Sequence, residues 1–365
     1  MSVIDLPEGV FRRSPVVTIL PLHFSTVFQQ LLNSLAGVDL DSSWRFQLAS
    51  LRKSALILPL NYPRGRDGLP ISRSANSMNG KEIVQSVLKS VVPLERRKRL
   101  SIWVDHQSWV PARHRWSAAL VRDVAQSNPE AFHRFVWTNH IGPAKQYERT
   151  NPFDTTRLLA VHRMIFEDVI RQLRIGNLDP HKDVKSVLDV GCATGHLLRY
   201  METQLFPSAE RLVGIDIDAQ AIAKGNSILR EAGSRVNLIC DDIAHLDRYL
   251  ADKQFDIIFS MGVLVCVGEE LARKLVDVML KHARRLVAFS GPANPAVHNA
   301  QMTRSVLRRD GAGLVHNFDA MVKNAKGKVL FQRWEGDRMV DGYSFYNIVA
   351  SPDPLRQQLT VHEKE

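Results

Sequence analysis

Asp189, Gly191, Ala193 and Gly195 stand at alternate positions directly after the apolar run that begins at Ser186, and a helical pattern opens at His196 with no spacer. This Asp-x-Gly-x-Ala-x-Gly spacing turns a short strand into a helix. The turn offers backbone N–H groups and the positive end of a helix dipole at a sheet edge, where a nucleoside-bearing ligand can lie. A dinucleotide fingerprint needs Gly-x-Gly-x-x-Gly, yet its second and third glycine positions are Ala193 and His196. No lysine stands where a P-loop would need one. Asp189 also has a plainer role open to it, satisfying backbone N–H groups of its own loop.

The elements that must position this loop follow in regular alternation. Arg211 to Ile215 reads as a second strand ending at Asp216 and Ile217. That acid lies about 25 residues after the first glycine, the offset at which a Rossmann-like sheet presents a carboxylate to ribose hydroxyls. Asp218 to Ala232 has helical periodicity and stops at Gly233. A third strand, Val236 to Ile239, leads to Asp241, Asp242 and Ile243, with either aspartate available if the register slips by one. Phe255 to Ser260 is a fourth strand followed by the Met261 loop, and Asp256 at its start is suited to holding a loop at the sheet edge. A helix over Glu269 to His282 and a strand over Arg285 to Ser290 come next. Lys328 to Gln332 and Ser344 to Ala350 read as a closing hairpin.

Together these motifs resemble the class I S-adenosylmethionine-dependent methyltransferases over about residues 140 to 350. The family usually has glycine at position 193. The resemblance implies an α/β fold: a Rossmann-like, seven-stranded, mostly parallel sheet with an antiparallel edge hairpin, preceded here by an N-terminal α+β extension. It implies S-adenosylmethionine as the cofactor, held by Asp189, Gly191, Cys192, Ala193, Gly195, Asp216, Ile217, Asp242, Ile243, Ser260 and Met261. Asp242 corresponds to the acid that contacts the adenine amino group. Tyr147, in the segment before the glycine loop, corresponds to a lid tyrosine. Many relatives carry a histidine after the fourth strand in a Val-Leu-x-His pattern; Cys266 fills that slot, so no base carries over. His140 and His298 are the candidate catalytic bases, with His316 and Asn317 behind them.

The chain has 365 residues, a formal net charge of +10 and three cysteines. Cysteine spacing gives neither a disulfide framework nor a zinc site, and Cys192 and Cys240 read as small buried apolar residues. No segment has the roughly 18 apolar residues needed to cross a bilayer, so a cytoplasmic protein without membrane contact is expected. The first 150 residues hold an excess of about nine positive charges, concentrated in Arg52-Lys53, Arg64-Gly-Arg66 and Arg96-Arg97-Lys98-Arg99. Such runs form either an RNA- or phosphate-binding surface or a solvated face; no RNA-binding motif accompanies them.

Toward the N-terminus, Val16 to Leu35 reads as a strand and helix, Ala55 to Leu58 as a strand and 63–80 as a loop. Lys81 to Ser90 reads as a helix and Ser101 to Val104 as a strand. From Trp116 the pattern is helical, with a break at Asn128-Pro129, a helix from Glu130 toward His140, and another over Thr155 to Leu173. The expected organisation is a basic extension over 1–129, lid and lead-in helices over 130–180, a donor-binding domain over 181–352 and a tail over 353–365. The expected function is methyl transfer to an oxygen or nitrogen of a small-molecule acceptor. RNA or protein methylation, or a non-catalytic donor-binding role, are the alternatives, and a homodimer is possible.

Overall fold

In a computed structural model, the described residues are 92–352 apart from 110–112, 152, 154–157, 309–312 and 341–342. The chain divides into two units, residues 1–77 and 78–365, and everything described belongs to the second. The elements expected between 16 and 90, and the tail, lie outside the described residues.

Continuous apolar runs make the central strands. β1 (Ser186–Val190), β2 (Arg211–Asp216), β3 (Val236–Cys240), β4 (Phe255–Met261) and β5 (Ala283–Pro292) are parallel neighbours in the order β3-β2-β1-β4-β5. Every residue of β1 is buried, as a strand covered on both faces requires. Beyond β5 the short Val306–Leu307 and Leu314–Val315 pair (β6 and β7) forms a separate ribbon. The long hairpin of β8 (Lys328–Val340) and β9 (Tyr343–Ser351) then closes the sheet antiparallel to β5, completing seven strands. The expected interruption over 333–342 is instead mostly strand, and pairing continues to Val340 and Tyr343.

Among the described residues, seven helices precede the sheet, the first five being α1 (Leu94–His106), α2 (Arg113–Leu120), α3 (Arg122–Ser127), α4 (Pro129–Thr138) and α5 (Pro143–Thr150). α6 (Ala160–Ile175) and α7 (Pro180–Asp183) lead into β1. Between strands lie α8 (His196–Tyr200, continuing as a wider turn to Leu205), α9 (Ala219–Glu231), α10 (Leu246–Leu250) and α11 (Glu269–His282), with α12 (Phe318–Asn324) before the hairpin. The strand expected over Ser101 to Val104 is part of α1. Arg97, Ser101, Val104 and Asp105 form its buried face, a helical spacing that the local Ile-Trp-Val run conceals.

Apolar packing falls into three clusters, one on each face of the sheet and a third of Val121, Val124, Ala125, Phe132, Val136 and Ala144. The third joins α3, α4 and α5. The boundary expected at 129 therefore cuts through a packed core, and the lid helices belong with the helices before them. At the opposite end of the sheet from the glycine loop, Asp256 accepts from the backbone N–H groups of Lys185 and Ser186 at 2.7 and 2.9 Å.

The glycine loop rests on α9 through one close approach. A Cβ on Gly225 would collide with the carbonyl oxygen of Thr194. Gly225→Ala should cost about 1–3 kcal/mol of stability by overpacking, read as a lowered urea midpoint.

Candidate donor site and its lid

The loop after β1 uses three left-handed residues at alternate positions: Gly191 (φ +85°), Ala193 (φ +48°) and Gly195 (φ +76°). The Gly191 and Cys192 N–H groups both donate to the carbonyl of Ile215, at 2.7 and 3.2 Å. The Ala193 N–H donates to Asp216 Oδ2 at 2.8 Å, and the Asp218 N–H to Asp216 Oδ1 at 2.9 Å. The end of β2 thus sets the shape of the turn after β1. Bulk is excluded by protein as well as by any ligand. A Cβ on Gly191 would overlap the Val263 side chain, and one on Gly195 would lie 2.8 Å from Leu238.

A cleft of about 850 Å³, counted with the solvent space at its mouth, opens over this loop. Tyr147, Gly191, Ala193, Asp216, Ile217, Asp242, Ile243 and Met261, all expected at the site, line it together. Asp242 rather than Asp241 faces it; its Oδ1 accepts from the Ala244 N–H at 2.9 Å while its other oxygen pairs with Arg134. Other expected residues are elsewhere. Cys192 is buried with its Sγ against Gly214, and burial first, then the charges of Asp216 and Asp189, push its thiol well up. Asp189 is buried beneath the loop with Oδ1 lacking a hydrogen bond. Burial, then the charge of Asp216, push its carboxyl up to about 7. Ser260 is buried on the opposite face of β4 from Met261, because strand residues alternate. Cys240, expected to be buried, is exposed.

The histidines separate clearly. His298 Nδ1 accepts from the Ala300 N–H at 3.1 Å and its ring stacks on Trp334; it is not part of the cleft lining. His316 is fully buried between Ser305 and the Leu264 carbonyl, and Asn317 caps α12. His140 lies beside the cleft, in a small adjoining cavity with Asp216, Asp218 and Glu148. Its Nδ1 is 2.6 Å from Asp218 Oδ2 and its Nε2 is 3.0 Å from Glu148 Oε2. The hydrogen bond to Asp218 holds its pKa above the ordinary 6.5, against the opposing effect of burial. Both ring nitrogens of His140 face carboxylates, so neither is turned into the cleft to take a proton from an acceptor. His140 is a latch rather than a base.

That latch fastens the lid. Asp218 Oδ1 caps α9 by accepting from the N–H groups of Gln220 and Ala221, both at 3.0 Å, while Oδ2 holds His140. Lys224 of α9 pairs with Glu148 of α5. On the lid side, fully buried Asp105 accepts from the Gly142 N–H at 3.1 Å and from Lys145 Nζ at 2.6 Å, and lies 2.8 Å from His114 Nδ1. Burial opposes its ionisation, but the hydrogen bonds from Lys145, His114 and Gly142 outweigh it and hold the carboxyl low. α4 starts on a capping Asn128 and Pro129 and spans the cleft mouth. Glu130, His133, Arg134 and Trp137 line the cleft from α4 and were not expected there. Their i, i+3, i+4, i+7 spacing was the available signal. Trp137 packs edge-on against Tyr147 and donates to Cys266, whose thiol burial pushes up to about 12.

Residues 187–291 match the family model of a methyltransferase domain. No curated protein matches the chain by sequence. Among solved structures, the chain is similar to an S-adenosylmethionine-dependent methyltransferase from Clostridium acetobutylicum. That likeness has 13% identity, a TM-score of 0.41, and covers 57% of this chain and 97% of that one. It is also similar to magnesium protoporphyrin IX methyltransferase from Synechocystis with bound S-adenosylhomocysteine. There the identity is 14% and the TM-score 0.44, covering 62% of this chain and all of the other. Residues 187–291 thus carry a methyltransferase domain by its family model, set on the seven-stranded sheet with the glycine loop after β1. S-adenosylmethionine is the cofactor that the sequence resemblance implies. Among the described residues, no helix is long and apolar enough to cross a membrane.

The cleft fits that cofactor. Asp216 has acceptor capacity beyond its backbone partners, Ile217 and Ile243 give apolar walls, and no lysine lines the cleft to receive a phosphate.

Two outcomes follow from this geometry. A left-handed alanine is disfavoured by about 1–2 kcal/mol, so Ala193→Gly should raise stability by about 0.5–1 kcal/mol, net of the entropy glycine restores to the unfolded chain; a denaturant midpoint measures this. His140 has a raised folded pKa, so its stabilisation is complete below the ordinary value of 6.5 and disappears as pH rises through the folded value. Thermal melts across about pH 5.5–8.5 should show that decline in the wild type and a flatter profile in His140→Gln.

Proposed function

We propose that the chain transfers the methyl group to an oxygen or nitrogen of a small-molecule acceptor enclosed beneath α4 and α5. The observation that carries this reading is the roofed cleft, in which Trp137, Met261, Val263, Cys266 and Val267 make an apolar chamber continuous with the Asp216 and Asp242 end.

When bound, S-adenosylmethionine supplies a methyl group already made electrophilic by a sulfonium. The residues of this chain contribute position and exclusion of water. Asp216 would accept from ribose hydroxyls, Asp242 from the adenine amino group, and Ile217 and Ile243 would flank the base. Asp242 is shared with Arg134, so base binding would loosen or exchange that ion pair. Gly191 and Ala193 bring backbone to the ligand, and Tyr147 and Trp137 close over it. Alignment of reactants in such a site can supply much of the rate.

The RNA reading loses support from the basic run on α1. Arg97 is buried and makes a two-pronged pair with Asp123, at 2.7 and 2.9 Å, and Lys98 pairs with Glu95 at 2.7 Å. Arg96 and Arg99 remain on the exposed face.

The test uses purified protein, methyl-labelled donor and two pools, one of small phenols, alcohols and amines and one of total RNA. Label in the small-molecule fraction supports the proposal. Label in RNA, lost when Arg96 and Arg99 are both changed to Ala, overturns it. Asp216→Ala should weaken donor binding by roughly 10–150-fold in calorimetry, and wild-type affinity in that variant would remove Asp216 from the site.

A further inference from the structure

Among the described residues that line the cleft, Arg134 is the one arginine or lysine. It stands one helical turn after Glu130 on the same side of α4. Its guanidinium crosses from the lid to the end of β3 and pairs with Asp242 Oδ2. The other oxygen of Asp242 is committed elsewhere. Oδ1 caps the turn over Ile243–His245 by accepting from the Ala244 N–H at 2.9 Å. The oxygen that Asp242 has left to offer a ligand is thus the one that Arg134 holds.

Arg134 has a second carboxylate within reach. Its Nη2 lies 3.7 Å from Glu130 Oε1, too far for a hydrogen bond but close enough for a small side-chain rotation to make one. Glu130 Oε2 accepts from the Gly268 N–H at 2.9 Å, which fixes that carboxylate over the segment after β4. Glu130 therefore keeps its place whichever partner Arg134 takes. Leaving Asp242 does not strand a bare cation in the cleft, because the guanidinium passes from one carboxylate to another. Asp242 then needs a new N–H donor in place of the one it gave up.

We propose that Arg134 is a resident occupant of the aminopurine subsite, standing on Asp242 where the donor's exocyclic amino group comes to lie, and that the amino group enters by displacing it onto Glu130. This rests on the donor reading above, in which Asp242 accepts from adenine. The exchange makes Arg134 a specificity-determining residue. A base with no N–H donor at that position offers Asp242 nothing for the guanidinium it would give up, so the ion pair stays closed. The exchange also alters what holds the lid. Before binding, α4 is tied to the end of β3 through Asp242 and to the segment after β4 through Glu130. Afterwards the tie at Gly268 persists, and the purine takes the place of the tie at Asp242. Donor affinity is what remains once the ion pair has been given up, and is lower than the cleft could otherwise reach.

The experiment is calorimetric titration of the purified full chain with S-adenosylhomocysteine, with adenosine and purine riboside as competitors; purine riboside lacks the 6-amino group. Arg134→Gln removes a partly exposed ion pair and should bind S-adenosylhomocysteine and adenosine roughly two- to fivefold more tightly than the wild type, with purine riboside unchanged. Arg134→Lys keeps a cation on Asp242 and should stay near the wild type. Glu130→Gln can still accept from Gly268 but offers no charge to the displaced guanidinium, so it should weaken S-adenosylhomocysteine binding by a similar factor. Unchanged or weaker binding of S-adenosylhomocysteine by Arg134→Gln overturns the proposal. An equal gain for purine riboside also overturns it, since Arg134 would then be a plug that reads no amino group. Unchanged affinity in Glu130→Gln overturns the passage onto Glu130. Failure of the wild type to bind S-adenosylhomocysteine overturns the donor reading itself, a different result.

Discussion

Three carboxylates crowd the ends of β1 and β2, and most of the site follows from the need to accommodate them. Asp189, Asp216 and Asp218 are all withdrawn from solvent. The charge of Asp216 helps push Asp189 up, and that of Asp218 acts the same way on Asp216. Like charges this close are tolerated only where N–H donors and cations face them. The glycine loop turns its Ala193 N–H inward, α9 presents its first N–H groups, and the lid contributes the His140 ring, whose pKa the carboxylates raise. A ligand bearing a positive charge relieves such a site, whereas a pyrophosphate would worsen it.

The sheet was legible in the sequence because it is buried on both faces. Its strands are uninterrupted apolar runs, each ending where an acid or glycine meets the cleft edge. Parity within a strand was harder to read. Ser260 and Met261 are neighbours in sequence, yet only Met261 reaches the cleft. α1 was misread for a different reason, since its buried face is polar. Arg97 is satisfied by Asp123, Ser101 by Ser117, and Asp105 by His114 and Lys145. Such a helix shows no apolar stripe, and its partners lie up to 40 residues away. The cleft face of α4 was missed although its residues stand at i, i+3, i+4, i+7, because only the docking of α4 on the segment after β4 shows which face of that helix meets the cleft.

The helices before the sheet therefore do more than extend the chain. Asp105 gathers α1, α2 and the turn into α5 around one buried carboxylate, and that turn carries His140. The left-handed backbone of His140 and Gly142 aims the imidazole down at Asp218 and the Gly142 N–H at Asp105. Removing the Asp105 carboxylate would leave Lys145 and His114 without their buried counter-charge and would slacken the turn on which the latch depends. The basic character of this region thus has a structural component, in which cations are spent on buried acids.

The lid layer has an apolar core of its own, separate from the two that flank the sheet. Its described links to the donor half include the ion pairs and hydrogen bonds of His140, Glu148, Arg134 and Glu130. Polar links can be handed over to water at small net cost, whereas parting an apolar core cannot. The layer is thereby built to lift as a rigid plate, and passage into and out of the chamber is an exchange of protein hydrogen bonds for solvent ones, with no local melting required.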